Sequence, residues 1–121
     1  MIGIKIGIIT SLLSVVIGAF GAHGLKDILS QNNSEAIFQT AVRYQIFHSI
    51  ALILAGILLQ LSFIESKLPI HLFLSGIIVF SGSLYILSIT GIKWLGAITP
   101  IGGVLLILGW CFLFISLKNP S

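Results

Sequence analysis

Residues 70–89 read IHLFLSGIIVFSGSLYILSI: twenty positions without an Asp, Glu, Lys or Arg. A helix needs about 20 mostly apolar residues to cross the hydrocarbon core of a bilayer, so this stretch has the length of one membrane span. Its ends are punctuated accordingly. Pro69 suits a first helical turn, where its missing N–H costs nothing, and Gly91 after Thr90 can take the left-handed conformation that ends a helix. On either side lie three more runs of similar length: Ile6 to Ala22, Ile46 to Ile64, and Ile98 to Leu117. The fold expected from them is all-α, an integral membrane four-helix bundle in a single domain over 1–121, with spans at about 6–24, 46–64, 70–90 and 98–117.

Composition agrees. Of 121 residues, 57% are hydrophobic and 7% charged, and mean hydropathy is +1.19. Soluble domains carry about 25% charged residues, so this chain cannot cover a water-facing surface. A soluble domain, a disordered tail and a disulfide-stapled secreted domain are excluded. The net charge of +3 comes from six Lys/Arg against three acids, scattered without a basic run, so no nucleic-acid surface is present. A single cysteine, Cys111, forms no disulfide within the chain. The first span also resembles a signal peptide, with Lys5 ahead of it and small residues near Gly18 to Ala22. Its full-span length favours retention.

Four spans place both termini on one side, side A, together with the 65–69 connection. Side B carries 26–45 and the 91–96 turn. Each side holds three Lys/Arg, so charge bias sets no orientation. Within 26–45, Gln31-Asn32-Asn33-Ser34 is a turn signal, and Asn32 with Glu35 resembles a capping box. Ile37, Phe38, Ala41, Val42 and Ile46 then repeat at helical spacing, with Glu35, Gln39 and Arg43 on the other face. This is an amphipathic, interfacial helix between spans 1 and 2 that runs into span 2. For span 4, two starts stand open: Thr99 as N-cap with Pro100 in the first turn, or a start near Leu95 with a kink at Pro100.

Small residues mark the packing faces. In span 1 they are Gly3, Gly7, Ser11, Ser14, Gly18 and Ala22; in span 3 they include Gly82, and in span 4 Gly102, Gly103 and Gly109. Helices in lipid associate through close approach over such residues. The stripes serve packing within the bundle, and the span 1 stripe also permits a homo-oligomer.

Polar candidates gather on side B. His23 closes span 1, and Arg43, Tyr44, Gln45 and His48 open span 2, with Tyr44, Gln45 and His48 sharing a helix face. Such a cluster fits a lipid headgroup or small ion, with His48 as its titratable member and Arg43 as a fixed cation. Interfacial anchoring is the competing role. No third ligand joins His23 and His48 for a metal, so neither metal nor cofactor is expected. Asp27, Glu35 and Glu65 lie at or outside the boundaries, which weakens a proton-relay transporter. No nucleophile–base pair has support.

Four strings in order carry a family resemblance: 18–26 GAFGAHGLK, 40–48 TAVRYQIFH, 80–85 FSGSLY and 99–103 TPIGG, with Gly109-Trp110 beyond. Together they are similar to the DUF423 family of small inner-membrane proteins. The resemblance implies a four-helix integral membrane protein, placed in the bacterial cytoplasmic membrane, and brings no catalytic residues with it. His23, Arg43-Tyr44-Gln45 and His48 fall within its motifs. The function expected is non-enzymatic support of membrane or envelope homeostasis, through membrane lipids or an unspecified protein partner. A small oligomeric channel or transporter is the alternative, and an enzyme acting on lipid ranks last.

Overall fold

The computed structural model describes residues 1–120, and every regular element in them is helical. The chain opens with α1 (Ile2–Val16), continues through a single π-helical turn (Ile17–Gly21) and ends that run with α2 (Ala22–Gly24). A short α3 (Lys26–Gln31) leads to α4 (Glu35–Gln60), then α5 (Leu68–Thr90), a 3₁₀ turn (Lys93–Ala97) and α6 (Thr99–Ser116). Four helical runs are long and apolar enough to cross a membrane: Ile2–Gly24, Glu35–Gln60, Leu68–Thr90 and Lys93–Ser116.

The second run takes in the amphipathic stretch ahead of residue 46, as expected, and ends short of Ile64. Its amphipathic opening and its apolar stretch form one unbroken α4 that begins at Glu35, about 39 Å long for 26 residues. It stops at Gln60 although the sequence stays apolar through Ile64. The stop is a Schellman turn: Phe63 N–H bonds to Leu58 C=O at 2.9 Å and Ser62 N–H to Leu59 C=O at 3.2 Å, with Ser62 left-handed at φ 65°. A serine stands where glycine usually marks such an end. Ile64 then turns inward and is buried.

The 31–34 turn is built the same way around Asn33, at φ 49°. Ser34 N–H reaches Leu29 C=O at 2.9 Å. The expected Asn32–Glu35 capping box does not form, because the Asn32 and Ser34 side chains are spent on α5. Asn32 Nδ2 donates to the Ser88 and Ile89 carbonyls at 3.2 and 3.0 Å, and Ser34 Oγ donates to Ser88 C=O at 2.6 Å. These carbonyls lie in the last turn of α5, where helical partners run out. At the start of α6, Pro100 sits in the first turn without a kink. Thr99 is not the cap: its hydroxyl pairs with Ser83 Oγ at 2.7 Å.

Packing follows chain order, with α1 along α4, α4 along α5, and α5 along α6. The inner face of α4 runs Phe38, Ala41, Gln45, His48, Leu52 and Ala55 at alternating steps of three and four; α6 repeats the rhythm with Thr99, Gly102, Leu106, Gly109 and Leu113. The apolar core joins Ala51, Leu52 and Ala55 to Phe73, Ile77, Leu106 and Leu113.

Glycines set the closest approaches. A Cβ on Gly7 would lie 2.9 Å from both Ile53 N and Ser49 O; on Gly56, 2.8 Å from Ile4 N; and on Gly102, 2.3 Å from Phe80 N. Gly18 meets only a Val42 methyl, at 3.0 Å. Two glycines expected in packing behave otherwise. A Cβ on Gly82 would touch nothing within 4 Å, and one on Gly103 would make ordinary contact with the Phe80 ring. Both sit beside, not on, the contact line of their helices. Ser11 Oγ bonds back to Gly7 C=O at 2.7 Å and is half-buried rather than a direct helix-to-helix contact.

Candidate functional site

The polar residues that open α4 separate by helix angle into an inner and an outer group. Gln45 and His48 are three apart and both buried. Gln45 is held at both ends of its amide: Nε2 donates to Thr10 C=O at 2.9 Å, and Oε1 accepts from the Tyr85 hydroxyl at 2.5 Å. One side chain thereby ties α1, α4 and α5 together. Ser49 Oγ donates to Gln45 C=O at 2.6 Å, and Ser81 Oγ to Ala41 C=O at 2.8 Å.

His48 makes the matching link to α6. Trp110 Nε1 donates to His48 Nε2 at 3.0 Å, and His48 Nδ1 lies 2.9 Å from Tyr44 C=O. Indole N–H is a donor only, so Nε2 accepts, and Nδ1 carries the ring proton toward the carbonyl. Both ring nitrogens are thus occupied in the neutral tautomer. The ring also sits among Phe47, Phe73 and Trp110, with centroids 5.2 to 5.9 Å away. Among the described residues, every buried side-chain N or O atom has a hydrogen-bond partner. A closed set of this kind holds helices in register; it leaves no buried polar atom aimed at a ligand.

The remaining candidates reach the surface to different degrees. His23 and Arg43 are exposed. Tyr44 is 44% exposed, with its ring 4.5 Å from that of Phe80. The Tyr44 ring also stacks on that of His48, with centroids 5.9 Å apart, so Tyr44 forms the half-exposed edge of the face that carries Gln45 and His48, and Arg43 lies apart from it. Arg43 lines a groove of about 190 Å³ between the π turn and α4, with Gly18, Ala22, Phe38, Gln39 and Val42. The one ion pair among the described residues, Lys118 with Glu65, is on side A. Arg43 also stands deeper than expected. It lies within α4, two turns past Glu35, rather than ahead of the span.

Tyr85 and Trp110 are hydrogen-bond partners of Gln45 and His48 that sequence reasoning left unpaired. Both lie in strings already singled out, yet their mates are 40 and 62 residues away. The usable signal was their polar tips: an intramembrane hydroxyl or indole N–H needs an acceptor.

Comparison with known proteins agrees with this architecture. The family model described as "Protein of unknown function (DUF423)" matches residues 17–103, a stretch that runs from the π turn through Gln45, His48 and Tyr85 to the opening of α6. A UPF0382 membrane protein of Staphylococcus haemolyticus is 45% identical over 93% of this chain and 92% of its own. A Staphylococcus aureus counterpart is 44% identical with the same coverage, and UPF0382 membrane protein YwdK of Bacillus subtilis is 43% identical over 93% of each chain. No solved structure matches. With the family model covering most of the chain and membrane proteins of like length aligned along nearly all of it, the chain belongs to the DUF423 family of membrane proteins.

Proposed function

We propose that the protein is a non-enzymatic component of the bacterial cytoplasmic membrane that supports membrane integrity by binding lipid along its side-B face. One observation carries this reading. The interior polar side chains all have hydrogen-bond partners within the described residues, while the cations Arg43 and Lys93 and the imidazole of His23 stand exposed at or near one end of the helices. A protein whose inner polar atoms are all engaged has its interaction chemistry on the outside, where the solvent is lipid. The bacterial relatives named as membrane proteins support the location.

The test is complementation. In a bacterial strain lacking its own family member, permeability to a membrane-impermeant dye under osmotic stress should rise, and expression of this chain should restore it. Unchanged permeability on deletion would overturn the reading. So would ion flux through liposomes containing the purified protein, which would move the function to passage.

A further inference from the structure

The groove beside Arg43 has chemistry that its neighbours do not complete. We infer that it binds an anionic phospholipid, with the headgroup phosphate on the Arg43 guanidinium and the upper acyl chain laid against Gly18, Ala22 and Val42. The inference rests on the lipid-binding reading above and assigns it a place and a class of lipid.

Depth is the first argument. Ala41, two residues before Arg43, accepts a hydrogen bond from Ser81, and Ser81 lies nine residues before the end of α5 at Thr90, about 14 Å along the axis. Gly18 faces Val42 and lies six residues before the end of α2 at Gly24, about 9 Å. Measured against both neighbours, the Arg43 backbone is well inside the side-B ends of the helices. A guanidinium can climb toward the headgroups on its flexible stem, but it starts from lipid depth, where an unpaired cation is costly.

Pairing is the second argument. Arg43 is exposed, and the one ion pair among the described residues is Lys118 with Glu65 at the other end of the molecule. Gln39, four residues earlier on the same helix, adds an amide to the same wall. A phosphodiester supplies the missing anion and matches the planar fork of Arg in a bidentate contact.

Shape is the third. Gly18 in the π turn meets Val42, and Ala22 just after the turn adds only a methyl to the same wall. They leave an apolar trough of about 190 Å³ with Arg43 on its wall. An apolar trough with a single cation on its wall is complementary to one acyl chain and one phosphate. The net positive charge of the wall favours an anionic headgroup over a zwitterionic one, whose own ammonium would be repelled.

The experiment is native mass spectrometry of the full chain released from micelles holding equal amounts of phosphatidylglycerol and phosphatidylcholine. The wild type should retain phosphatidylglycerol preferentially. Arg43→Ala should lower that retention at least about tenfold, as expected for loss of a charge-assisted contact, and Arg43→Lys should keep part of it. Gly18→Leu should also displace the lipid by filling the trough; circular dichroism confirms that each variant stays helical. If Arg43→Ala retains phosphatidylglycerol while Lys93→Ala loses it, this site is wrong and lipid binding elsewhere on side B stands. If the wild type retains both lipids alike, the anionic assignment of this site fails while lipid binding on side B stands; if it retains neither, both readings fail together.

Discussion

Gln45 shows what a polar side chain does in this interior. It accepts from Tyr85 and donates to Thr10, so it bridges three helices with one amide. Interhelical hydrogen bonds in membranes are worth modest amounts, about 0.6 kcal/mol on average and about 1.7 at most, because the separated helices also find partners. Gln45→Leu removes both bonds at nearly constant volume and leaves the Tyr85 hydroxyl without its acceptor. The expected cost is about 1–2 kcal/mol. Tyr85→Phe should cost somewhat less. The double variant should cost about as much as Gln45→Leu alone, since the orphaned hydroxyl is gone. Unfolding in detergent, followed by circular dichroism, reads all three. Strictly additive losses would mean that the Gln45–Tyr85 bond carries no coupling. His48 and Trp110 form the same kind of link one turn deeper, and neither partner could be read from the other. A helix's residues are ordered by sequence, but which neighbour they meet depends on the rotation of two helices about their own axes.

At the scale of helices, glycine position separates contact from coincidence. Gly102 lets α6 approach α5 until a Cβ would stand 2.3 Å from Phe80 N, while Gly82 faces open space. Gly102→Ala must therefore push the helices apart, at a cost of about 1–3 kcal/mol. Gly82→Ala should be neutral or stabilising by up to about 1 kcal/mol, because alanine restricts the unfolded chain and favours the helix. Matched denaturation midpoints for the two variants would contradict this assignment of faces. The sequence placed the helices well and their ends less well. Spans 3 and 4 were legible because apolar length is set by the bilayer, and Pro69, Gly91 and Pro100 mark the boundaries. For span 2, the amphipathic stretch that runs into it was legible from helical spacing, while the burial of Gln45 and the early end of the helix were not. Gln39, Arg43 and Gln45 look like a polar approach to the membrane, yet Gln45 is buried through partners on two other helices. Leu61, Phe63 and Ile64 look like continued span, yet a left-handed Ser62 ends the helix before them. Of the site candidates, helical spacing brought Tyr44, Gln45 and His48 to one face, but it could not show that Gln45 and His48 are sealed by partners on other helices.

Over the whole molecule, the helices are unequally held. Only 17% of the apolar stretch of the first run is buried inside the chain, against 39% for α4 and for α5. The first run packs chiefly along α4, through glycines, with large side chains such as Ile8, Leu12, Val15 and Phe20 directed outward. Its hold rests on backbone proximity at Gly7 and at Gly56 of α4, on Gly3 against the Ile70 side chain, and on the hydrogen bonds from Gln45 to Thr10 and from the N-terminus to Gln60. The α4–α5–α6 part has a shared apolar core of its own. Such an arrangement opens in steps, beginning with the element that buries least. Gly7→Leu is the variant that should expose this, because its side chain would start 2.9 Å from the backbone of both Ser49 and Ile53. In detergent, amide exchange in residues 2–16 should rise by at least about tenfold, the factor set by a loss of 1.4 kcal/mol in local opening. Exchange in residues 68–90 and 99–116 should stay at the wild-type rate. A uniform rise over all four runs would show instead that the molecule opens as one unit and that α1 is integral to the core.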